Sequence, residues 1–332
     1  MSFRAASSTC TALLLAAVFV SLALGAYPIP VTALLTGHLT VPEASILTGL
    51  RLPRVLAAAA GGATFALAGA ALQTLFRNPL ADPGLLGVPA AAGLGAATAL
   101  IVVGAGTALW VGALLGAALA MSAMLLVARR VSADGAVNAS STATLLLLGI
   151  AINAACAAGL AMLTALASEG QLKTLSFWML GSFASLTWPV VIALCLVAVI
   201  AAVLLQTMAR ALGALLLGER AARAVGVDLK QLRFRVAVVT AAAVAVVTAF
   251  CGGVGFVGLA APHLARLTVG ASPRYVLPLS ALIGALLCVL ADVVARSIAP
   301  PIELPVGAIT AILGVPLLIT MIAGGQAGRR GR

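Results

Sequence analysis

Long apolar runs constrain this chain more than any other feature of its sequence. Runs of about 18 residues or more recur along it, and that is the length an α-helix needs to cross a bilayer. Of its 332 residues, 63% are hydrophobic and only 8% are Asp, Glu, Lys or Arg, against about 25% in an ordinary soluble domain. So few charges do not cover the surface of a soluble fold of this size. The sequence therefore predicts an all-α polytopic membrane protein.

Ten segments are predicted to cross the membrane, within one domain that takes in residues 1–332. Their approximate limits are 11–28, 54–75, 84–103, 108–128, 143–166, 187–208, 233–250, 255–270, 276–297 and 305–323. An even number of crossings places both termini on one side. Gly and Ala are frequent in these segments, which suits helices that approach closely in lipid.

Basic residues divide unequally between the two sides that ten crossings define. With both termini in the cytoplasm, fifteen of the nineteen Lys and Arg residues fall inside, and Arg51, Arg54, Lys173 and Arg296 fall outside. The positive-inside rule favours this orientation, which also explains the net charge of +11 without any nucleic acid. The first segment resembles a signal peptide as well. The charge distribution favours a first segment that is kept as a crossing.

The stretch LFRNPLADPGLLG, residues 75–87, separates two apolar segments on the predicted inner side. Pro79 and Pro83 fix φ and stop a helix, while Asn78 and Asp82 can bond backbone groups that helix ends leave unpaired. Asp82 is expected to cap the third crossing, with Pro83 at its first position. A well-made turn accounts for this chemistry, but so many specified residues also fit a functional role.

The longest charged segment, residues 215–235, also lies on the predicted inner side. GERAARAVG within it predicts a short helix that ends at Gly226, with a surface of small residues formed by Ala221, Ala222 and Ala224. Two interpretations remain open for the basic residues around it. They anchor lipid headgroups, or the helix docks a cytoplasmic partner.

The predicted outer side carries few polar residues. Arg51 and Arg54 stand at the start of the second crossing, and Glu303 precedes the tenth. Asp292 is the only acidic residue assigned to a crossing, which makes it a functional candidate. Its spacing of four residues from Arg296 on one helix face favours a structural ion pair instead.

Several function classes find no support in the sequence. It lacks the GxxxxGK[ST] pattern that cradles nucleotide phosphates, and it shows no HExxH, no GxSxG and no cluster of carboxylates, so an enzyme is not indicated. The five cysteines are scattered and are interpreted as free thiols. His38 and His263 are interpreted as interfacial polar residues, with haem ligation as the alternative.

Four stretches together resemble the FecCD/BtuC family, the permease subunits of ABC importers for ferric siderophores, haem and vitamin B12. They are RLPRVLAAAAGGATFALAGAALQTLFRNPLADPGLLGVPAAAG, LGERAARAVGVD, GFVGLAAPHLARLTVGASPRYVLP and ELPVGAITAILGVPLL. The resemblance runs from about residue 45 almost to the end of the chain, and it is greatest to haem-importing members. It implies the type II ABC importer permease fold, in a homodimer with the pathway along the dimer axis.

The resemblance also implies partners and site residues. Two copies of a cytoplasmic ABC ATPase are expected to dock on a coupling helix within residues 212–230, at Leu217, Gly218, Glu219, Arg220, Ala221, Ala222, Arg223, Ala224, Gly226 and Val227. A periplasmic substrate-binding protein is expected to dock through its glutamates on Arg51, Arg54 and Arg296. A cytoplasmic gate is expected at Asn78, Leu80, Thr142 and Ala143, although Ala143 departs from the polar residue that the family pattern leads us to expect.

These observations predict a permease that imports haem, or another iron chelate, from periplasm to cytoplasm through a bacterial inner membrane. ATP and magnesium would bind the partner ATPase, and no cofactor or metal is expected in this chain. A ferric-siderophore or vitamin B12 permease of the same family is the alternative. An ion-coupled secondary transporter is the alternative from another class, but it needs carboxylates near the midplane or broken helices that hold the ion.

Overall fold

The computed structural model describes residues 2–25, 27–133, 142–184, 186–298 and 303–327. Within these ranges it describes the side chains of all residues except 127–133, 142–145 and 317–327. This part of the chain is helical, with no strand in it.

The helices follow one another with short connections. In chain order they are α1 Phe3–Ala23, α2 Val31–Thr36, α3 Val41–Ile46, α4 Leu52–Leu75, α5 Val88–Val102, α6 Thr107–Ala133, α7 Thr142–Leu166, α8 Glu169–Met179, α9 Trp188–Thr207, α10 Ala209–Leu216, α11 Glu219–Ala224, α12 Leu229–Cys251, α13 Val257–Val269, α14 Pro273–Ser297 and α15 Val306–Ala327. A π-helical turn over Leu47–Arg51 joins α3 to α4, and a 3₁₀ turn over Pro83–Leu86 precedes α5.

A helix lies over each of the ten segments predicted to cross the membrane. Not every one of these helices is both long enough and apolar enough to cross it. Among the described residues, seven helical segments meet that condition. The shorter apolar helices are α5 and, over the part of α15 whose side chains are described, Val306–Pro316. At 13 residues, α13 rises about 20 Å, less than the roughly 30 Å hydrocarbon core. The count of ten crossings therefore stays a prediction.

Helix α4 lies at the centre of the described structure, and most of its residues are buried. It approaches α14 and α13 closely because glycines face one another at the crossings. A Cβ added at Gly62 would lie 2.2 Å from the carbonyl oxygen of Gly284, and one at Gly69 would lie 1.9 Å from that of Gly258. These glycines let backbones meet where any side chain would separate them, as in membrane helix packing generally.

Candidate functional site

The inner turn begins where α4 ends, and Asn78 organises it. The Asn78 backbone amide donates to the Gln73 backbone carbonyl at 3.0 Å. Its side-chain oxygen accepts from the Leu80 amide at 2.9 Å, which is the Asx turn expected of Asn in such a position. Arg77 has a φ of 49°, a left-handed conformation that is uncommon outside Gly, Asn and Asp. The predicted rigid turn is therefore present.

Asp82 caps a different element from the one predicted. Its carboxylate accepts from the Gly84 amide at 2.7 Å and begins the 3₁₀ turn, whereas α5 begins only at Val88, after Gly87 with a φ of 76°. The physical reason is the left-handed Gly87, which separates the 3₁₀ turn from α5 and packs so closely on α7 that a Cβ there would lie 2.6 Å from the Ile152 side chain. Burial raises the pKa of the Asp82 carboxyl, and the hydrogen bond from Gly84 opposes that shift.

The two predicted halves of the gate are described unequally. Asn78 is exposed, and Leu80 is 44% exposed at the tip of the turn. Thr142 and Ala143 open α7, but their side chains lie outside the described residues. The contact that does join α7 to the turn is the Asn153 amide, which donates to the Gly84 carbonyl at 3.1 Å. Asn153 was not among the predicted site residues, and its only signal in the sequence was its polarity in an apolar segment.

A buried polar connection behind the turn was also missed. The Arg266 guanidinium of α13 donates to the Gln73 side-chain oxygen of α4 at 2.6 Å, and the Gln73 amide donates to the Gly258 carbonyl at 3.0 Å. Because an unpaired polar group costs several kcal/mol in hydrocarbon, Gln73 within an apolar segment was the signal that could have found it. The connection fixes the end of α4 against α13 directly above the turn.

The inner segment between α9 and α12 folds as two short helices. Gly218, with a φ of 113°, separates α10 from α11, and Gly226, with a φ of 81°, follows the end of α11. The predicted short helix is therefore present, over Glu219–Ala224. Glu219 holds it in place through ion pairs with Arg233 of α12 at 2.5 Å and with Arg223 at 3.3 Å.

The surface of this segment differs from the expected surface of small residues. Ala222 is fully buried against its own chain, whereas Leu217 is 80% exposed and Val225 is 71% exposed. Arg220, Arg223, Ala224 and Gly226 are also exposed, and Gly218, Glu219, Ala221 and Val227 are half-buried. The segment thus presents two apolar side chains among arginines to the outside of the chain.

The outer end, so named for its predicted side of the membrane, brings Arg51, Arg54 and Arg296 together, but in contacts with their own chain. Arg54 Nε lies 2.9 Å from one Asp292 carboxylate oxygen and 3.0 Å from the other, and its Nη1 lies 2.7 Å from Glu303. Arg296 forms the predicted pair with Asp292, at 3.7 Å. The cluster therefore joins the start of α4, the end of α14 and the chain before α15.

Arg51 and Arg296 also hold the end of α1. The Arg51 guanidinium donates to the carbonyls of Leu22, Ala23 and Tyr27. Arg296 donates to the Leu24 carbonyl at 2.9 Å and to the carbonyl and hydroxyl of Ser21. Carbonyls at a helix C-terminus have no partner within the helix and carry partial negative charge. The guanidinium groups of Arg51 and Arg296 supply both the hydrogen-bond donors and the positive charge that these carbonyls lack.

The exposure of these side chains decides what a partner can reach. The Arg54 side chain is 12% exposed and that of Arg296 is 8% exposed, whereas that of Glu303 is 46% exposed. The expected docking arginines thus lie beneath a surface on which Glu303 is the accessible charge of the cluster.

The part of the chain that the structure describes contains no candidate metal site. No group of three or more His, Cys, Asp or Glu side chains lies together there. The five cysteines are free thiols. His38 is exposed before α3, and His263 is half-buried in α13.

Comparisons with known proteins cover almost the whole chain. The sequence model of the FecCD transport family matches residues 13–324. The hemin transport system permease protein HmuU of Yersinia pestis is 38% identical over 285 residues, which cover 83% of each chain. The vitamin B12 import system permease protein BtuC of Vibrio cholerae is 38% identical over 287 residues, or 84% of this chain and 83% of the relative.

A solved structure is similar over a still larger share. It is described as an inward-facing conformation of a transporter assigned to the metal-chelate type of ABC transporters. Its TM-score is 0.84 at 29% sequence identity, over 95% of this chain and 98% of that one.

Proposed function

Because this chain belongs to the FecCD transport family of ABC importer permeases, we propose that it carries haem, or another iron chelate, into the cytoplasm. It spans a bacterial inner membrane many times, with both termini in the cytoplasm, as the distribution of its basic residues indicates. ATP is hydrolysed on a partner subunit, since this chain carries no P-loop sequence.

The haem assignment rests on one of the two named substrates among the similar proteins. The relative from Yersinia pestis is named for hemin, and the relative from Vibrio cholerae, equally identical, is named for vitamin B12. Vitamin B12 is therefore the second candidate, and a ferric siderophore the third. All three are large chelates, so a permease that binds them weakly and leaves selection to a separate binding protein suits each one.

The observation that supports ATP-driven transport best is the exposed inner segment. Leu217 and Val225 are large apolar side chains that the described chain leaves uncovered, on a segment that Glu219 fixes to α12. Exposed apolar residues rimmed by charges mark protein–protein contact sites. We assign this surface to a cytoplasmic ATPase, with two copies bound to a permease homodimer.

Asp292 counts against the secondary transporter. A coupled ion needs a carboxylate that can release its partners, but Asp292 is engaged by Arg54 and Arg296 at the outer end.

At the outer face, Glu303 is the accessible partner of the Arg54 side chain, which itself lies mostly beneath the surface. We propose that a periplasmic binding protein docks there and that its carboxylates take the place of Glu303 on Arg54. Arg51 and Arg296 then support the site from beneath, through α1. At the inner end, we keep the gate at Asn78 and Leu80 with Thr142 and Ala143.

Transport in proteoliposomes tests the assignment. The permease is reconstituted with its ATPase and its binding protein, and haem, a ferric siderophore and vitamin B12 are compared side by side. We expect ATP-dependent uptake of haem at a rate several times that of the other two.

The control is the same assembly without ATP, and again with an ion gradient in place of ATP. Faster uptake of vitamin B12 than of haem would replace the substrate while leaving the importer intact. Uptake driven by the gradient alone would overturn the ATP-driven mechanism.

A further inference from the structure

Two neighbouring cavities lie between α9 and α14, where the N-terminal end of α1 also approaches. One has a volume of about 510 Å³ and the other about 470 Å³. Both have Gln206 and Pro278 in their walls, so together they form one cleft. The first half is lined further by Ser2, Phe3, Arg4, Arg274 and Tyr275, and the second by Leu67, Ala202, Val203 and Thr207.

The first half of the cleft is basic. Arg4 and Arg274 are exposed, neither has an ion-pair partner among the described residues, and no lining residue is acidic. Tyr275 stacks on Phe3 with ring centroids 5.0 Å apart, and the Arg274 guanidinium lies 5.8 Å from the Tyr275 ring. Two cationic side chains without an ion-pair partner suit the anionic phosphate of a headgroup.

The second half is apolar and follows the helices away from their ends. Leu67 of α4 forms its floor and is buried, while Val203 of α9 is 57% exposed. The α9 segment has a mean hydropathy of 2.9 and is mostly unburied, as expected of a helix that faces lipid. An alkyl chain in this groove would meet carbon atoms on its protein side.

Pro278 and Gln206 give the cleft its shape without any ligand. Proline has no N–H, so Pro278 leaves the carbonyl four residues earlier in α14 without its helical partner. The Gln206 amide donates to that carbonyl, on Arg274, at 3.0 Å. The Gln206 side chain, on α9, thereby holds the first turn of α14 where the two halves of the cleft meet.

The order of the two halves matches a phospholipid. The starts of α1 and α14 and the end of α9 meet at the basic half, so this half lies at a membrane surface and the apolar half lies within the bilayer. Basic pockets between helices bind anionic headgroups, and Tyr is favoured at headgroup depth. We propose that the cleft binds one anionic phospholipid, with its phosphate between Arg4 and Arg274 and an acyl chain along Leu67 and Val203. The proposal does not depend on the transported substrate.

Native mass spectrometry of the full chain in neutral detergent tests the site. The protein is titrated with phosphatidylglycerol or with phosphatidylcholine, and bound lipids are counted. We expect one phosphatidylglycerol per chain, held more tightly than phosphatidylcholine. Arg4→Gln with Arg274→Gln should weaken the binding of phosphatidylglycerol severalfold, because both cationic partners of its phosphate are removed.

Matched variants separate this site from general attraction. Arg210→Gln removes an exposed arginine that does not line the cleft and is expected to leave binding unchanged. Arg4→Lys with Arg274→Lys keeps both charges and should keep the preference, which distinguishes lost charge from lost fold. Val203→Trp should fill the apolar half and reduce binding. Val199→Trp, at a position 61% exposed that does not line the cleft, should not.

Three results would overturn the proposal. The first is equal binding of the two lipids by the unmodified chain. The second is a loss on Arg210→Gln, or on the Lys pair, as large as that on the Gln pair. The third combines two observations: millimolar inorganic phosphate displaces phosphatidylglycerol, and Val203→Trp leaves the binding of phosphatidylglycerol unchanged. The cleft would then be a site for free phosphate and not for a lipid.

Discussion

At the scale of single residues, the outer cluster depends on how Asp292 is neutralised. Asp292 is 1% exposed, and Arg54 is its closest partner, with Arg296 at 3.7 Å. Breaking a buried pair by removing one partner costs about 3–5 kcal/mol, because the other charge stays buried. An exposed pair contributes about 0–1 kcal/mol.

We therefore predict that Arg54→Met lowers the unfolding temperature in detergent by several degrees, since a loss of 1 kcal/mol lowers it by roughly 2–4 °C in chains of 150–250 residues. Glu303→Gln is the matched control and should change it little, since Glu303 is 46% exposed. Adding Asp292→Asn to Arg54→Met should recover part of the loss, because the buried charge is then gone. Equal losses in Arg54→Met and Glu303→Gln would contradict this account.

Glu303→Gln also tests docking at the outer face. It removes the accessible carboxylate from Arg54 and leaves Asp292 in place, so an acidic partner should bind more tightly by severalfold. The affinity of the binding protein for reconstituted permease is measured at low and at high salt. Unchanged affinity at both salt concentrations would show that Arg54 serves the fold alone.

Contacts between residues close in the sequence were predictable, and contacts between distant residues were not. Asp292 and Arg296 are four residues apart, and helical spacing was sufficient to predict their pair. Arg54 and Asp292 are 238 residues apart, and nothing in one sequence places them together. For the same reason, the contacts of Arg51 with α1 and of Gln73 with Arg266 were not predictable, although each polar residue beside an apolar segment was a signal in itself.

At the scale of helices, the glycine contacts make α4 and its neighbours one packed unit. We predict that Gly69→Ala prevents normal packing, since its Cβ would lie 1.9 Å from the Gly258 carbonyl oxygen and backbones cannot yield cheaply. Gly93→Ala in α5 is the control, because nothing lies within 4 Å of its added Cβ and Ala favours a helix by about 1 kcal/mol over Gly. The yield of monodisperse protein and its unfolding temperature are the measurements. Equal behaviour of the two variants would refute close packing at Gly69.

The inner turn yields a prediction about leakage. Leu80→Ala shortens the side chain at the tip of the turn, and Asn78→Ala removes the acceptor that the Leu80 amide uses. If this turn closes the pathway, both should raise the loss of entrapped substrate from sealed vesicles without ATP. Leu35→Ala, at an exposed position of α2, provides the control. Wild-type leakage in both turn variants would leave the turn with a structural role alone.

The ends of the helices and the burial of their residues depend on tertiary contacts, which the hydrophobic pattern of the sequence does not show. The helices over the predicted crossings follow from apolar length, and the short helix at Glu219–Ala224 follows from its glycines. The helix over the third predicted crossing begins at Val88, four residues after the predicted limit, because Asp82 caps a separate 3₁₀ turn that ends at the left-handed Gly87. Ala222 was expected on a surface, but tertiary packing buries it.

At the scale of the whole molecule, the proposed ATP-driven transport requires a cytoplasmic partner, which we assign to the inner segment. We predict that Leu217→Asp with Val225→Asp abolishes co-purification of the ATPase, because charges would replace the two exposed apolar side chains. Leu35→Asp, at a position 72% exposed on α2, is the matched control and should leave recovery unchanged. Normal recovery of the ATPase with the inner double variant would place the docking surface elsewhere.

The class of the molecule was the part most open to prediction. Composition and apolar length indicated a membrane protein, and four ordered motifs indicated its family. The substrate was not predictable, because aromatic and charged residues are few in this chain and the proposed selection by a separate binding protein would leave no trace in it.

The bonds that hold the end of α1 also order events during synthesis. Arg296 donates to the Leu24 carbonyl, 272 residues earlier in the chain. At about 5–20 residues per second, the ribosome adds that arginine roughly 15–55 s after Leu24. Until then, one of the two arginine partners of α1 does not yet exist. The end of α1 is therefore held by Arg51 alone while the rest of the chain is made, and a chain that stops before Arg296 leaves the Leu24 carbonyl without its arginine.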